Sequence, residues 1–338
     1  MLATLALPAT GLFPALERIP TVRVRSADEL KSALRRARER ALALDASGLD
    51  RVLRLDAPRG ILELQAATPW AALLEYLAPH QIPLQAFANA PQLPATVGDA
   101  VSLDSPGPDG LAISAHVAAL TLVTPDGELR RADPQANREL FSLALGGRGL
   151  FGVLYSVTLS LDSLRRSAAE AVPPVELIIP DVRETEPSGE ALECLLPPGE
   201  VDGFLARLRE LARERRFVLH GVSVQRQQPA RAAFLRCCER EWAGVQLRFG
   251  VKATLGASVH AAEIRRLLLG MALERGGMLA LRDPRDATRE QLNACYPMLA
   301  TFLAEKRRYD PAERLQNAWY RCVLAKQRGA SCEVRWAR

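Results

Sequence analysis

The chain has 338 residues, 48% hydrophobic and 25% charged, with a net charge of +5, enough for two domains with their own cores. No apolar run approaches the roughly 20 residues that span a bilayer, and the opening MLATLALPATGLFPALERIP carries prolines and no basic start, so 1–20 reads as an irregular arm of a cytoplasmic protein. Nucleic acid is disfavoured despite the positive charge: aromatics are 5%, and arginines alternate with glutamates in LKSALRRARERA and FLARLRELARERRF, the pattern of solvated helix faces.

In chain order, Ser26 and Glu29 form a capping-box pattern ahead of Leu30, Leu34 and Ala37, so a helix is expected to about Arg40. The segment TVGDAVSLDSPGPDG reads as a Gly-containing turn, with Gly98 after a β-branched pair and Gly107 and Gly110 bracketing a second turn. Such glycines let backbone N–H groups hold phosphate oxygens, although any single one is also ordinary loop punctuation. Val117 to Val123 and Glu128 to Arg131 flank the turn Thr124–Gly127 as a hairpin. Asn137 to Ala144 reads as a short helix closed by Gly146 and Gly147, and Leu150 to Leu161 as a strand.

RRSAAEAVPPVELIIPDVRETEPSGE is rich in Pro, Glu and Ser and reads as a linker over 163–190. Beyond it, Leu192–Leu196, Phe217–Gln225, Val245–Leu255 and Met278–Arg282 read as strands, with helices over Val201–Glu214 and Ala261–Arg275 and a helical linker over Arg231–Trp242. Two strand, helix, strand units predict a ferredoxin-like antiparallel sheet over 191–300. In VQLRFGVKATL, Val245, Leu247, Phe249 and Val251 share one face, which puts Gln246, Arg248 and Lys252 on the other. Arg248 could bind a carboxylate there and Lys252 polarise a carbonyl, or the face could simply be solvated. A helix over Ala287–Arg307 leads into a return segment over 301–338, where Tyr309 and Tyr320 are candidate phenolic proton donors or packing residues. The cysteines Cys194, Cys237, Cys238, Cys295, Cys322 and Cys332 contain no C-x-x-C and no nearby His pair, so no metal site is expected and reduced thiols are.

The ordered pieces TVGDAVSLDSPGPDG, HVAALTLVTPDGELRRA and NRELFSLALGGRGLFGVLYSVTLSL, with KRRYDPAERLQNAWYR near the carboxyl end, resemble the FAD-linked oxidases related to vanillyl-alcohol oxidase. The resemblance implies an α+β protein: a two-subdomain FAD-binding domain of the PCMH type over 21–162, and a cap that covers the flavin. It implies cofactor contacts at Thr96, Val97, Gly98, Asp99, Ser102, Gly107, Gly147, Gly152 and Val153. None of His80, His116, His220 and His260 lies where the family often attaches its flavin, so the FAD is expected to be non-covalent.

The chain also departs from the family pattern. The Gly-Gly phosphate loop that follows the first helix is missing, Asp99 stands where a second glycine is usual, and Pro106 replaces a histidine. A carboxylate beside a diphosphate repels it unless a cation intervenes. The expected function is hydride transfer from a hydroxyl-bearing small molecule to the flavin. The alternative is an inactive relative serving as a partner subunit, or a binder of small acidic ligands. A protein partner or a homo-oligomer is compatible with either.

Overall fold

The structure is a computed structural model describing residues 2–5 (backbone), 20–37, 42–90, 92–177, 190–229, 231–235, 240–251, 256–280, 284–330 and 332. Within the amino-terminal arm, expected to be irregular, Leu2–Leu5 is a strand, β1. It is antiparallel to β3 (Leu42–Asp45), which runs parallel to β2 (Thr21–Arg23) across the helix α1 (Ala27–Arg36). The far side of β1 is paired by Leu315–Gln316, so both ends of the chain enter one four-stranded sheet. Ser26 Oγ accepts the Glu29 N–H at 3.2 Å, while the Glu29 carboxylate reaches back to the Arg25 N–H at 2.8 Å, one residue beyond a strict capping box. Leu30 and Leu34 bury against Leu42, Leu44 and Leu49 as the core of this small subdomain.

The second subdomain is a five-stranded antiparallel sheet in the order β4-β5-β8-β6-β7. It comprises β4 (Val52–Asp56), β5 (Ile61–Gln65), α2 (Trp70–Leu77), α3 (Gln85–Ala88), α4 (Val97–Leu103), β6 (Val117–Val123), β7 (Leu129–Ala132), α5 (Arg138–Ala144) and β8 (Val153–Ser160). The expected hairpin is β6 and β7, but the segment read as a Gly-containing turn is the helix α4. Thr96 accepts the Asp99 N–H as its cap, and burial of Val97, Ala100 and Val101 outweighs the poor helix propensity of Gly98.

The linker is likewise partly ordered. Ser160 caps α6 (Leu161–Ala169), whose Leu161 and Leu164 are buried, and β9 (Val175–Leu177) joins the cap sheet. That sheet has the order β13-β10-β12-β11-β9, from β10 (Glu190–Leu196), β11 (Val218–Gln227), β12 (Trp242–Gly250) and β13 (Met278–Leu279). With α7 (Val201–Arg215) and α8 (Ala257–Glu274), which bury Phe204, Leu208, Ile264 and Leu268, it is ferredoxin-like. The expected helical linker is not helical over 231–235.

The single helix expected over Ala287–Arg307 is two, α9 (Arg289–Cys295) and α10 (Leu299–Tyr309). Pro297 disfavours helical backbone at Tyr296, which is buried and donates its hydroxyl to the Leu279 carbonyl at 2.6 Å. The strand β14 (Leu315–Gln316) and α11 (Ala318–Gln327) complete the chain. A left-handed turn at Gly329 brings Cys332 back to Cys322, and the two form a disulfide, which corrects the expectation of thiols for this pair. Cys194 and Cys295 are free, and Cys237 and Cys238 lie outside the described residues. Among the described residues no helix is long and apolar enough to cross a membrane.

Candidate functional site

The two subdomains meet at a cleft of about 70 Å³. One wall is the start of α4, the loop 148–150 and the start of β8; the other is Ala46 with Leu315, Gln316 and Asn317. Five of the nine nominated cofactor residues line it: Thr96, Gly98, Asp99, Ser102 and Val153.

The other four are placed otherwise, and the reasons are steric. Val97 is fully buried in the core. A Cβ on Gly147 would fall 2.0 Å from the Leu143 carbonyl oxygen, and one on Gly152 would fall 2.5 Å from Leu122 and 2.9 Å from the Val123 carbonyl. Those two glycines admit the chain's own backbone. Gly107 turns away toward the cap: its carbonyl accepts Nε2–H bonds from Gln92 at 3.3 Å and from Gln225 at 3.1 Å.

The start of α4 uses its own amides. The Val97 N–H donates to the Thr68 carbonyl, Gly98 to Ala66 at 2.7 Å, Asp99 to Thr96 Oγ1 and Ala100 to the Thr96 carbonyl. No first-turn N–H is left over for a phosphate. Thr96 Oγ1 donates to the Asp99 carboxylate at 2.8 Å, so the negative charge at this helix start is already supplied.

Of the cleft residues not nominated from sequence, Arg148 and Asn317 bring the most polar chemistry. Arg148, inside the GGRG loop, lines the cleft with its guanidinium 5.0 Å from the Trp319 ring centre, and its N–H donates to the Ser102 carbonyl. It is the cation that a carboxylate such as Asp99 requires if a phosphate is to approach. Asn317 caps α11 by accepting the Tyr320 N–H at 2.8 Å and donates from Nδ2 to the Arg148 carbonyl at 2.9 Å, tying the two walls together. The Asn just before an apolar helical run was a readable cap signal, whereas nothing in the local pattern marks Arg148. Beside them Gly149 adopts φ +73°, and a Cβ there would meet only the Gly152 carbonyl oxygen, at 4.0 Å.

Behind the cleft, Asp104 ends α4 in a left-handed conformation with the Ser114 N–H on its carboxylate at 3.1 Å. Burial pushes its pKa up to about 6, against the lowering effect of that hydrogen bond.

The three nominated catalytic residues that are described, Arg248, Tyr309 and Tyr320, do not converge. Arg248 is exposed on β12, stretched over Gly221 of the neighbouring strand, and the opposite face does bury Val245, Leu247 and Phe249. Lys252 lies outside the described residues. Tyr309 donates its hydroxyl to Glu139 at 3.0 Å, and burial together with that carboxylate raises its pKa. Tyr320 is fully buried and donates to Glu313 at 2.9 Å, with burial raising its pKa further. Neither phenol lines the cleft.

The comparisons trace the same geography. Residues 21–133, which hold α1, α4 and the cleft residues Thr96, Gly98, Asp99 and Ser102, match the family model of the FAD binding domain. Over that stretch the chain carries an FAD-binding-type domain. A stretch of 124 residues is 26% identical to decaprenylphosphoryl-beta-D-ribose oxidase of Mycolicibacterium smegmatis. It covers 36% of this chain and 26% of that protein, so the match spans about a quarter of the curated relative. BBE-like 1 of Physcomitrella patens superposes with a TM-score of 0.61 at 13% identity, over 93% of this chain and 96% of that one. A variant of the same protein gives 0.60 at 12%. This likeness shows that the chain has the same α+β fold.

The cleft lining combines apolar Ala46, Leu150 and Val153 with Ser102, Asn317 and the cation Arg148. At about 70 Å³ the space is far below the roughly 300 to 1,000 Å³ of ligand pockets, so the walls must part for a nucleotide to enter.

Proposed function

We propose that the chain is an FAD-dependent oxidoreductase that oxidises a hydroxyl-bearing small molecule, with FAD held non-covalently. The observation that supports this best is the convergence of Thr96, Gly98, Asp99, Ser102 and Val153 with Arg148 on one cleft inside the FAD-binding-type domain. Arg148 would take over the charge neutralisation that a phosphate loop supplies elsewhere, and Asn317 and Ser102 would orient the nucleotide. Bound FAD supplies the hydride acceptor; the protein supplies orientation and charge. Tyr309 and Tyr320 are engaged by carboxylates and are not the base. Arg248 is left to bind an acidic group of the substrate, with Lys252 assigned the neighbouring carbonyl or oxyanion.

A second reading is supported by the satisfied first-turn amides of α4 and the narrow cleft. In it the chain is a non-catalytic relative that serves a protein partner or a second copy of itself. Purified protein is mixed with FAD, desalted, and its absorbance recorded from about 350 to 500 nm, where oxidised flavin absorbs. Retained bands that bleach with dithionite, and that Arg148→Gln weakens by about tenfold in FAD affinity, are expected. A colourless wild-type protein would sink the oxidoreductase reading and leave the second.

A further inference from the structure

A second cavity, of about 1480 Å³, opens where α5, the segment 231–235, the start of β12, the end of α8 and α9 converge. It shares no lining residue with the cleft, so a ligand can occupy it whether or not flavin binds. Three guanidinium groups line it, those of Arg138, Arg231 and Arg240, all exposed. Among the described residues none of the three forms an ion pair; Arg240 donates only to the Gly276 carbonyl, at 3.0 Å. Three such guanidinium groups around one concavity concentrate positive charge there.

The floor supplies a second, independent observation. Trp242 is 7% exposed and lines the cavity, yet its buried Nε1–H has no acceptor among the described residues. Buried donors are almost always bonded, so this one calls for an acceptor. Arg240 lies over the same indole, 4.2 Å from the ring centre, which places positive charge and aromatic surface side by side. Phe141 and Met278 extend the apolar lining. Among the described residues the one carboxylate on the rim is Glu290, bonded by its own N–H and by Thr288 at the start of α9, which holds its pKa below the usual range. The lining therefore offers four donor groups and little acceptor, over an apolar floor.

We propose that this cavity binds an organic anion: a carboxylate or phosphate ester carried on a flat apolar body. The oxygens would take the arginine and indole donors, and the body would lie against Phe141, Trp242 and Met278.

The test is calorimetric titration of the full chain, free of flavin, with 2-naphthoate, 1-naphthyl phosphate, neutral 2-naphthamide and inorganic phosphate. Binding of one or both naphthyl anions is expected, and the tighter of the two identifies the anionic group. Arg138→Gln, Arg231→Gln and Arg240→Gln should each weaken it by about tenfold, the usual loss for one charge-assisted bond. Trp242→Phe keeps the ring and removes only the N–H, and should weaken the anion by about threefold or more. The arginines are exposed, so circular dichroism should show these variants folded. No binding of either naphthyl anion, equal binding of 2-naphthamide, or affinity unchanged in the arginine variants would overturn the proposal. Inorganic phosphate binding as tightly as the naphthyl anions would overturn its apolar half.

Discussion

Asp104 shows how one residue can tie the stability of this fold to pH. Its carboxyl is half-buried at the end of α4, and its folded pKa of about 6 lies above the ordinary 3.8. The native state therefore holds the proton more tightly than the unfolded chain. Its contribution is most favourable below about pH 4, declines as pH rises to about 6, and is a full penalty above that. Asn keeps the oxygen that accepts the Ser114 N–H and tolerates the left-handed backbone at φ 47°. Asp104→Asn should stabilise the protein by about 2 kcal/mol at pH 8 and flatten the pH dependence between about 4 and 6, as read by urea denaturation. An unchanged slope would mean that the carboxyl is not desolvated.

At the scale of elements, α4 explains both what the sequence showed and what it hid. Gly98 was conspicuous, and a glycine after β-branched residues reads naturally as a bare turn waiting for phosphate. In the fold its missing side chain makes room for β5's exit: a Cβ would fall 2.4 Å from the Ala66 carbonyl oxygen. Gly98→Ala should lower stability by about 1–3 kcal/mol in the absence of any flavin, by thermal melting. A loss seen only with FAD present would instead make it a cofactor position. The hairpin β6–β7, the helices α1 and α7 and the cap's strand order were legible because local periodicity and turn chemistry dictate them. The division of α9 from α10 was readable at Pro297 but was missed. Asn317 was readable as a cap but not as a cleft residue, and Arg148 was not readable at all, because the two meet across 169 residues.

Across the whole molecule, the antiparallel sheet of the FAD-binding-type domain and the cap share one hydrophobic core. Leu62, Phe141 and Phe151 on one side are continuous with Phe302, Trp319, Phe249 and Cys194 on the other. Phe302 sits at the seam, edge-on to Phe151 at 5.1 Å and to Trp319 at 6.2 Å. Heating should therefore give one transition, coincident by circular dichroism and tryptophan fluorescence, where separate midpoints would show that the domains melt independently. The sheet that holds β1 has a different consequence, one of timing. β1 can meet β3 once some fifty residues have left the ribosome, but its other edge finds β14 only after residue 316 emerges. Until then that edge is open to any passing strand. β14 is thus what shields a nascent molecule from sticking to its neighbours.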